Sequence, residues 1–266
     1  MKYLCPTDFS KCSLNAINWI LNFSKNQTGV KIHVLHCIDN PGTLYQELVE
    51  LKKEKAISFL DNYTKELKKK FENITVSYSI VLSNPKKIII EKANELIPDF
   101  IILGSFGLSN VKDITLGSVT EYVVDHCEFP VLCIPNNTIF TNLNAVLLGV
   151  DDKEIKHPET INNFLKMITH FNPKLFLVQI KSNMKELGLE FDQRIEEFIE
   201  DLEIEPITLE RNINISHTLN EFAGLNDVKL ICFIHRKKNW FRNMFHNSTT
   251  RDGLFDLEHP FLVIPE

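Results

Sequence analysis

Glycine and hydroxyl side chains are concentrated in one segment of the chain, GSFGLSNVKDITLGS at 104–118. It holds Gly104, Gly107 and Gly117, three of the nine glycines in 266 residues. Glycine can adopt positive φ and lets a backbone approach a ligand closely. A helix that opens at Gly117-Ser118 would offer free N–H groups and a favourable dipole to an anion. These residue types at this spacing predict a phosphate-binding segment.

A hydroxyl and a carboxylate follow the first apolar run, in Pro6-Thr7-Asp8. The Asp8 carboxylate is an acceptor suited to a ribose hydroxyl or an adenine amine. Taken alone, such an aspartate is more often a helix cap than a ligand contact, and a glycine pair more often marks a turn. Together, the two segments predict a purine nucleoside at Asp8 with its phosphates along 104–118.

The elements that must position these residues alternate between strands and helices. Short apolar runs rich in Ile, Val, Leu and Cys predict strands at 2–6, 30–38, 75–82, 99–103 and 131–135. Helical patterns lie between them, at Ser10–Lys25, Leu44–Phe71, Pro85–Ile97 and Gly117–Cys127. Ser10 is the predicted cap of the first helix, and Asn84 or Ser83 that of the third. This alternation predicts a parallel, doubly wound sheet, whose ligands bind beyond the carboxyl ends of the strands.

The chain also repeats itself. FPVLCIP at 129–135 recurs as HPFLVIP at 259–265, a shift of 130, whereas segments nearer the N-terminus correspond at a shift of 143. The second copy therefore lacks 13 residues, which we place between its second and third strands. The prediction is an α/β fold of two tandem doubly wound five-stranded parallel-sheet domains, 1–140 and 141–266, with the second copy diverged.

The first copy resembles the universal stress protein family. The pattern of that family is glycine, two residues, glycine, nine residues, then glycine followed by serine or threonine. Four residues match it position for position: Gly104, Gly107, Gly117 and Ser118. PTDFSKCSLNAI at 6–17 and the two segments around the fourth and fifth strands also look like the family. The resemblance covers essentially all of 1–136 and implies a Rossmann-like fold of the adenine-nucleotide alpha-hydrolase kind.

The resemblance implies that the protein binds ATP and has a stress-linked regulatory or sensor role. Pro6, Thr7 and Asp8 would then meet the nucleoside, and Cys37 would back the adenine. The ribose–phosphate side would be lined by Leu103, Gly104, Gly107, Gly117, Ser118 and Val119. The nucleotide would be ATP, with or without Mg²⁺. Two alternatives stay open: a nucleotide-free interaction scaffold, and a binder of AMP or cyclic AMP.

The second copy has lost most of this pattern. At the shift of 130, the three glycine positions are occupied by Ile234, Lys237 and Asn247, and only the serine is kept, as Ser248. Asp151 stands in the place of Asp8. A β-branched residue where a closely approached glycine stood should block a phosphate cradle. We therefore predict one nucleotide site per chain, in the first copy.

The composition and net charge of the chain limit which kinds of binding partner are expected. A formal charge of −6 argues against nucleic acid or an anionic membrane as the main partner. No charged leader with a cleavage site and no apolar run of about 18 residues is present, so we expect a cytoplasmic protein. The six cysteines include no C-x-x-C pair and are predicted to be buried thiols rather than zinc ligands or disulfides.

Catalytic machinery is not indicated. No Walker lysine follows the glycines, and His33 and His36 lie on an apolar strand, where packing roles are expected. At most, the family resemblance implies slow ATP hydrolysis or self-phosphorylation at Ser118 or Thr120.

Assembly is predicted from the repeat and from the family. We expect Val131–Pro135 to pair with Phe261–Pro265, which would give a pseudo-dimer within one chain and cover two sheet edges. The basic and aromatic segment HRKKNWFRNMF at 235–245 is interpreted as an interaction loop rather than a nucleic-acid surface. Its Trp240 and Phe241 are candidates for a homodimer contact.

Overall fold

The computed structural model divides the chain into two compact units, with the boundary between Phe140 and Thr141. The residues that the structure describes are 1–39, 45–105, 116–150, 159–181, 202–210, 215–235 and 259–265. Each unit consists of parallel strands alternating with helices, so the predicted α/β fold is confirmed.

The first unit holds five strands and four helices. In chain order they are β1 (Lys2–Thr7), α1 (Lys11–Ser24), β2 (Val30–Ile38), α2 (Gln46–Lys70), β3 (Ile74–Leu82), α3 (Pro85–Leu96), β4 (Phe100–Gly104), α4 (Ser118–His126) and β5 (Val131–Ile134). The strands are parallel and lie in the order β3-β2-β1-β4-β5. The direction of winding therefore reverses between β1 and β4, which is where such sheets bind ligands.

Local sequence explains where these helices begin. The Ser10 hydroxyl accepts a hydrogen bond from the Ser13 N–H, and the side-chain amide oxygen of Asn84 accepts one from the Lys86 N–H. Both predicted caps are confirmed, with Asn84 rather than Ser83 at the third helix. Pro85 occupies the first turn of α3, where its missing N–H costs nothing.

The second unit repeats this arrangement. Its described elements are β6 (Ala145–Gly149), α5 (Glu159–Ile168) followed by a 3₁₀ turn (Thr169–Phe171), β7 (Lys174–Lys181), β8 (Ile204–Glu210), α6 (Ile215–Leu225), β9 (Leu230–His235) and β10 (Phe261–Pro265). These strands are also parallel, in the order β10-β9-β6-β7-β8.

The strand registers of the two units coincide at the shifts found in the sequence. Lys2 pairs with Lys31 in the first unit, and 143 residues later Ala145 pairs with Lys174. The fourth and fifth strands likewise correspond at the shift of 130, since their pairing registers are the same in both units. The internal repeat is therefore visible in the hydrogen-bonded pairing as well as in the sequence.

The third strands correct one detail of the repeat. Ile32 pairs with Val76, and Leu175, the counterpart of Ile32, pairs with Ile204. Equating these registers relates the third strands by a shift of 128. The second copy thus lacks about 15 residues before its third strand and regains about two before its fourth, instead of losing 13 at one place. The sequence comparison missed this because few residues of the third strand match between the copies.

Buried apolar strands form the core of each unit. Cys5 and Ile101 are fully buried in the first unit, as are Leu147 and Cys232 in the second. All six cysteines are free thiols; five of them are buried, as predicted, and Cys37 is half-buried. Within the described ranges, no helix combines the length and apolar character that a membrane crossing requires.

Candidate functional site

A cavity of about 810 Å³ lies at the carboxyl ends of β1, β2 and β4 in the first unit. Its walls are completed by the first turn of α4, by one face of α2 and by the start of α3. This is the place where the winding of the sheet reverses. The volume falls within the range of about 300–1,000 Å³ that is usual for small-molecule sites.

Nine of the ten residues expected to bind the nucleotide line this one cavity. They are Pro6, Thr7, Asp8, Cys37, Leu103, Gly104, Gly117, Ser118 and Val119. The tenth, Gly107, lies outside the described residues. Four separate chain segments supply the nine, so their convergence is a property of the fold and not of local sequence.

The turn after β1 is held by a hydrogen-bond network around Asp8. One carboxylate oxygen of Asp8 accepts from the Ser10 N–H at 3.0 Å and from the Ser13 hydroxyl at 2.9 Å. The Thr7 and Ser13 hydroxyls lie 2.9 Å apart. Asp8 therefore organises the entrance to α1 and also lines the cavity. The cap and ligand interpretations of this residue are compatible.

An aromatic wall beside this turn was not foreseen from the sequence. Phe9 has a φ of 63°, in the left-handed region that bulky side chains rarely adopt. Its ring stacks on the His36 imidazole with centroids 4.0 Å apart and also packs against Phe59 of α2 at 4.5 Å. All three side chains line the cavity. Strained backbone of this kind is typically retained at functional sites.

His33 and His36, both expected to be packing residues, differ in their surroundings. The two ring nitrogens of His33 lie 3.0 and 2.8 Å from the hydroxyls of Ser77 and Ser79 on β3, a structural role as expected. His36 packs too, with Nδ1 2.8 Å from the Thr7 carbonyl oxygen, but it also faces the cavity. Burial lowers the pKa of His36, opposed by the Thr7 carbonyl and by Asp8.

The thiol of Cys37 is a neutral part of the cavity wall. Burial, helped by the nearby charge of Asp39, raises its pKa to about 12. The thiolate is the reactive form of cysteine. A thiol with so high a pKa contributes apolar surface rather than a nucleophile.

The reason for glycine at position 104 differs from the expected one. A Cβ built on Gly104 would lie 2.8 Å from the Cys12 sulfur and 2.9 Å from the Cys12 carbonyl carbon. Such distances are shorter than real Cβ contacts, so the absent side chain lets α1 pack closely on β4. Of the glycines that the structure describes, only Gly29 has a positive φ. Gly104 therefore serves helix–strand packing, besides lining the cavity.

The first turn of α4 is fixed to the end of β4. The Gly117 N–H donates to the Ser105 carbonyl at 2.7 Å, and the buried Thr120 hydroxyl donates to the Gly104 carbonyl at 3.0 Å. Gly117 is the cap residue and has an extended backbone with φ −66°, so positive φ is not needed there either. Ser118 is exposed at the cavity, whereas Thr120 also lines the cavity but is buried.

Carboxylates are few in this wall. Asp8 and Asp39 are the ones found among its described residues. The described part of the chain contains no group of three His, Cys, Asp or Glu side chains that could hold a metal ion. The counterpart residues Asp151, Lys237, Asn247 and Ser248, and the segment 235–245 beyond the strand end at His235, lie outside the described ranges.

Comparison with known proteins agrees with this architecture. The sequence profile of the Universal stress protein family matches residues 1–135. Universal stress protein MJ0577 of Methanocaldococcus jannaschii is 32% identical over 152 residues, which span 50% of this chain and 93% of that protein. Universal stress protein MJ0531 of the same organism is 29% identical over 142 residues, 50% of this chain and 81% of that protein.

A solved structure resembles the whole chain. The crystal structure of a universal stress protein from Archaeoglobus fulgidus covers 100% of this chain and 96% of its own, with a TM-score of 0.76 and 21% identity. At that identity the likeness establishes the fold alone. With the family profile matching half of the sequence, the chain belongs to the universal stress protein family.

Proposed function

We propose that the first unit binds ATP, one molecule per chain, and that the protein acts as a stress-linked regulator or sensor. The observation that carries this proposal is the convergence of nine predicted residues from four chain segments on one cavity. The cavity has an acceptor at the β1 turn, an apolar and aromatic wall, and a helix N-terminus, as a nucleotide needs.

The expected pose follows from the chemistry of these walls. Adenosine would lie against the β1 turn, with Asp8 accepting from ribose or adenine and with Cys37 and Leu103 as apolar neighbours. The phosphates would lie at Gly117 and Ser118, where N–H groups of the first helical turn and the Ser118 hydroxyl are donors. Mg²⁺, where present, would enter with the phosphates.

The second unit would be a diverged copy without an ATP site. Its fourth strand carries Ile234 where β4 has Gly104, and Phe233 where β4 has Leu103. Larger side chains at this strand end reduce the room for a nucleotide. A regulatory role would follow if ATP binding in the first unit stabilised one conformation that a partner recognises.

Isothermal titration calorimetry of the full chain with ATP, Mg-ATP, ADP, AMP and cyclic AMP tests the proposal. We expect one ATP per chain and a rise in the unfolding temperature with ATP. Saturation at two per chain would contradict the single site. Tighter binding of AMP or cyclic AMP would favour the alternative ligands, and no binding of any nucleotide would favour the scaffold.

Three further expectations stay predictions. They are the cytoplasmic location, the absence of nucleic-acid binding, and the pairing of Val131–Pro135 with Phe261–Pro265. A homodimer through Trp240 and Phe241 also stays a prediction. Sedimentation of the purified protein, with and without ATP and with a generic duplex, would test oligomeric state and nucleic-acid binding together.

A further inference from the structure

Helix α2 has an exposed N-terminal part beside the cavity. Of its first ten residues, 46–55, only Val49 is buried, whereas Ala56, Leu60 and Leu67 are buried at helical spacing further along. Because α2 connects two parallel strands, it runs antiparallel to them. Its first turns, about 15 Å of helix, therefore lie at the carboxyl end of the sheet, where the cavity is.

One face of this helical segment carries two lysines into the cavity wall. Lys52, Lys55, Ala56 and Phe59 all line the cavity. Their spacing of three, four and seven residues places them on one side of the helix. Lys53, in contrast, lies about 100° around the helix from Lys52 and is not part of the wall.

These ammonium groups have no competing partner in the part of the chain that the structure describes. Neither lysine makes an ion pair or hydrogen bond there. They are also the only lysine or arginine side chains among the described wall residues. Burial lowers the pKa of the His36 imidazole, which disfavours a positive charge on that ring. A polyanion in this cavity would therefore find its cationic partners on α2.

We propose that Lys52 and Lys55 bind the phosphate chain of the nucleotide and set a preference for ATP over AMP. The proposal rests on nucleotide binding by the first unit and adds the source of charge neutralisation, since no lysine of the Walker type follows the glycines. The α4 N-terminus would hold one part of the phosphate chain, and the α2 lysines would contact another. A ligand with more phosphate charge gains more from this wall.

A double variant, Lys52→Gln with Lys55→Gln, tests the proposal against the matched control Lys53→Gln. Calorimetric titration of the full chain with adenosine, AMP and ATP is the measurement. In the double variant we expect the affinity for ATP to fall about tenfold and the affinity for AMP to fall by less than about threefold. The affinity for adenosine should be unchanged. The control should bind all three ligands within about twofold of the unchanged protein.

The outcomes separate this proposal from the one on which it rests. If the unchanged protein binds no nucleotide, both fail. If it binds ATP but the double variant keeps the same ratio of ATP to AMP affinity, only the role of the lysines is overturned. An equal loss of ATP affinity in Lys53→Gln would also overturn the proposal. The effect would then come from the overall positive charge of the helix and not from contacts of Lys52 and Lys55. Thermal unfolding of the variants checks the fold, which exposed side chains should leave intact.

Discussion

Each unit places one glycine at the carboxyl end of a central strand, but on different strands. In the first unit it is Gly104, at the end of β4, facing the backbone of Cys12. In the second it is Gly149, at the end of β6, facing the ring of Phe233 across the strand pair. At the corresponding positions the first unit has Pro6, and the second has Ile234.

The difference shows that the presence of glycine at these strand ends depends on the residues packed against them. Phe233 replaces Leu103 at the shift of 130, and a Cβ at Gly149 would lie only 3.2 Å from its ring. The larger side chain, Phe233 on β9, is therefore paired with a glycine on the neighbouring strand β6. The side chains at this strand end therefore differ together between the two units: Phe233 with Gly149 in the second, and Leu103 with Pro6 in the first.

Replacing Gly117 by valine should have the largest effect on function. The position lines the cavity and caps α4, and a branched side chain there would occupy the place expected for the phosphates. We expect ATP affinity to fall at least about 100-fold. The free energy of unfolding should fall by about 1 kcal/mol, because the helix cap is disturbed. Calorimetry and urea unfolding measure the two effects. Unchanged affinity would mean that the nucleotide binds elsewhere.

Replacing Gly104 by alanine should chiefly affect stability. Its Cβ would meet the Cys12 backbone at 2.9 Å, so β4 or α1 must shift. A loss of about 1–3 kcal/mol in the free energy of unfolding is expected, as for other overpacked sites. Gly224→Ala in α6 is the control: nothing lies within 4 Å of its added Cβ, and it should gain up to about 1 kcal/mol. Equal behaviour of the two variants would contradict the packing role.

Replacing Asp8 by asparagine should separate its two roles. The amide oxygen can still accept from the Ser10 N–H and the Ser13 hydroxyl, so the β1 turn should be preserved. The charge and one acceptor are lost, however, and we expect ATP affinity to fall about tenfold. Titration with adenosine alone should show the same loss. A change in stability with no change in affinity would leave Asp8 a structural residue only.

Replacing Gly149 by alanine should have a small effect, in contrast to Gly104. The contact at 3.2 Å involves the edge of a Phe233 ring, which can move more easily than backbone. Less backbone freedom in the unfolded chain offsets part of the strain. We expect a change of less than about 1 kcal/mol in urea unfolding. A loss as large as that of Gly104→Ala would show that both strand ends are equally rigid.

Replacing His36 by glutamine, the residue found at the matching position Gln179, should alter the pH dependence slightly. Because the pKa of His36 is lowered in the folded state, its contribution to stability is full above pH 6.5. That contribution is lost as the pH falls through the folded-state value. The variant should therefore lose less stability than the unchanged protein between about pH 7.5 and pH 5, measured by urea unfolding. An identical pH profile would contradict the shift.

Much of the first unit could be predicted from local patterns. β2 has the predicted bounds, the other strands and α1, α3 and α4 agree within one residue at each end, and Ser10 and Asn84 are caps. These features depend on apolar periodicity and on side chains next to a helix start. The strand ends could be assigned to one edge because parallel strands share their direction.

Other features depend on contacts between distant segments and could not be predicted. The reason for Gly104 is Cys12, which lies 92 positions earlier in the sequence. The ring of Phe9 lies between β2 and α2 because of a positive φ that no sequence pattern favours for phenylalanine. The lysines of α2 match no binding motif in the sequence, and only the position of the helix beside the sheet edge places them at the cavity.

The hydrogen bond from the Gly117 N–H to the Ser105 carbonyl affects which insertions and deletions the fold can accept. Ser105 and Gly117 flank residues 106–116, so one hydrogen bond joins the two ends of this segment. An insertion or deletion between them need not move α4 or β4, and the entropic cost of a longer connection grows only slowly with its length. Length variants that keep Gly107 should therefore be accepted without rebuilding the sheet.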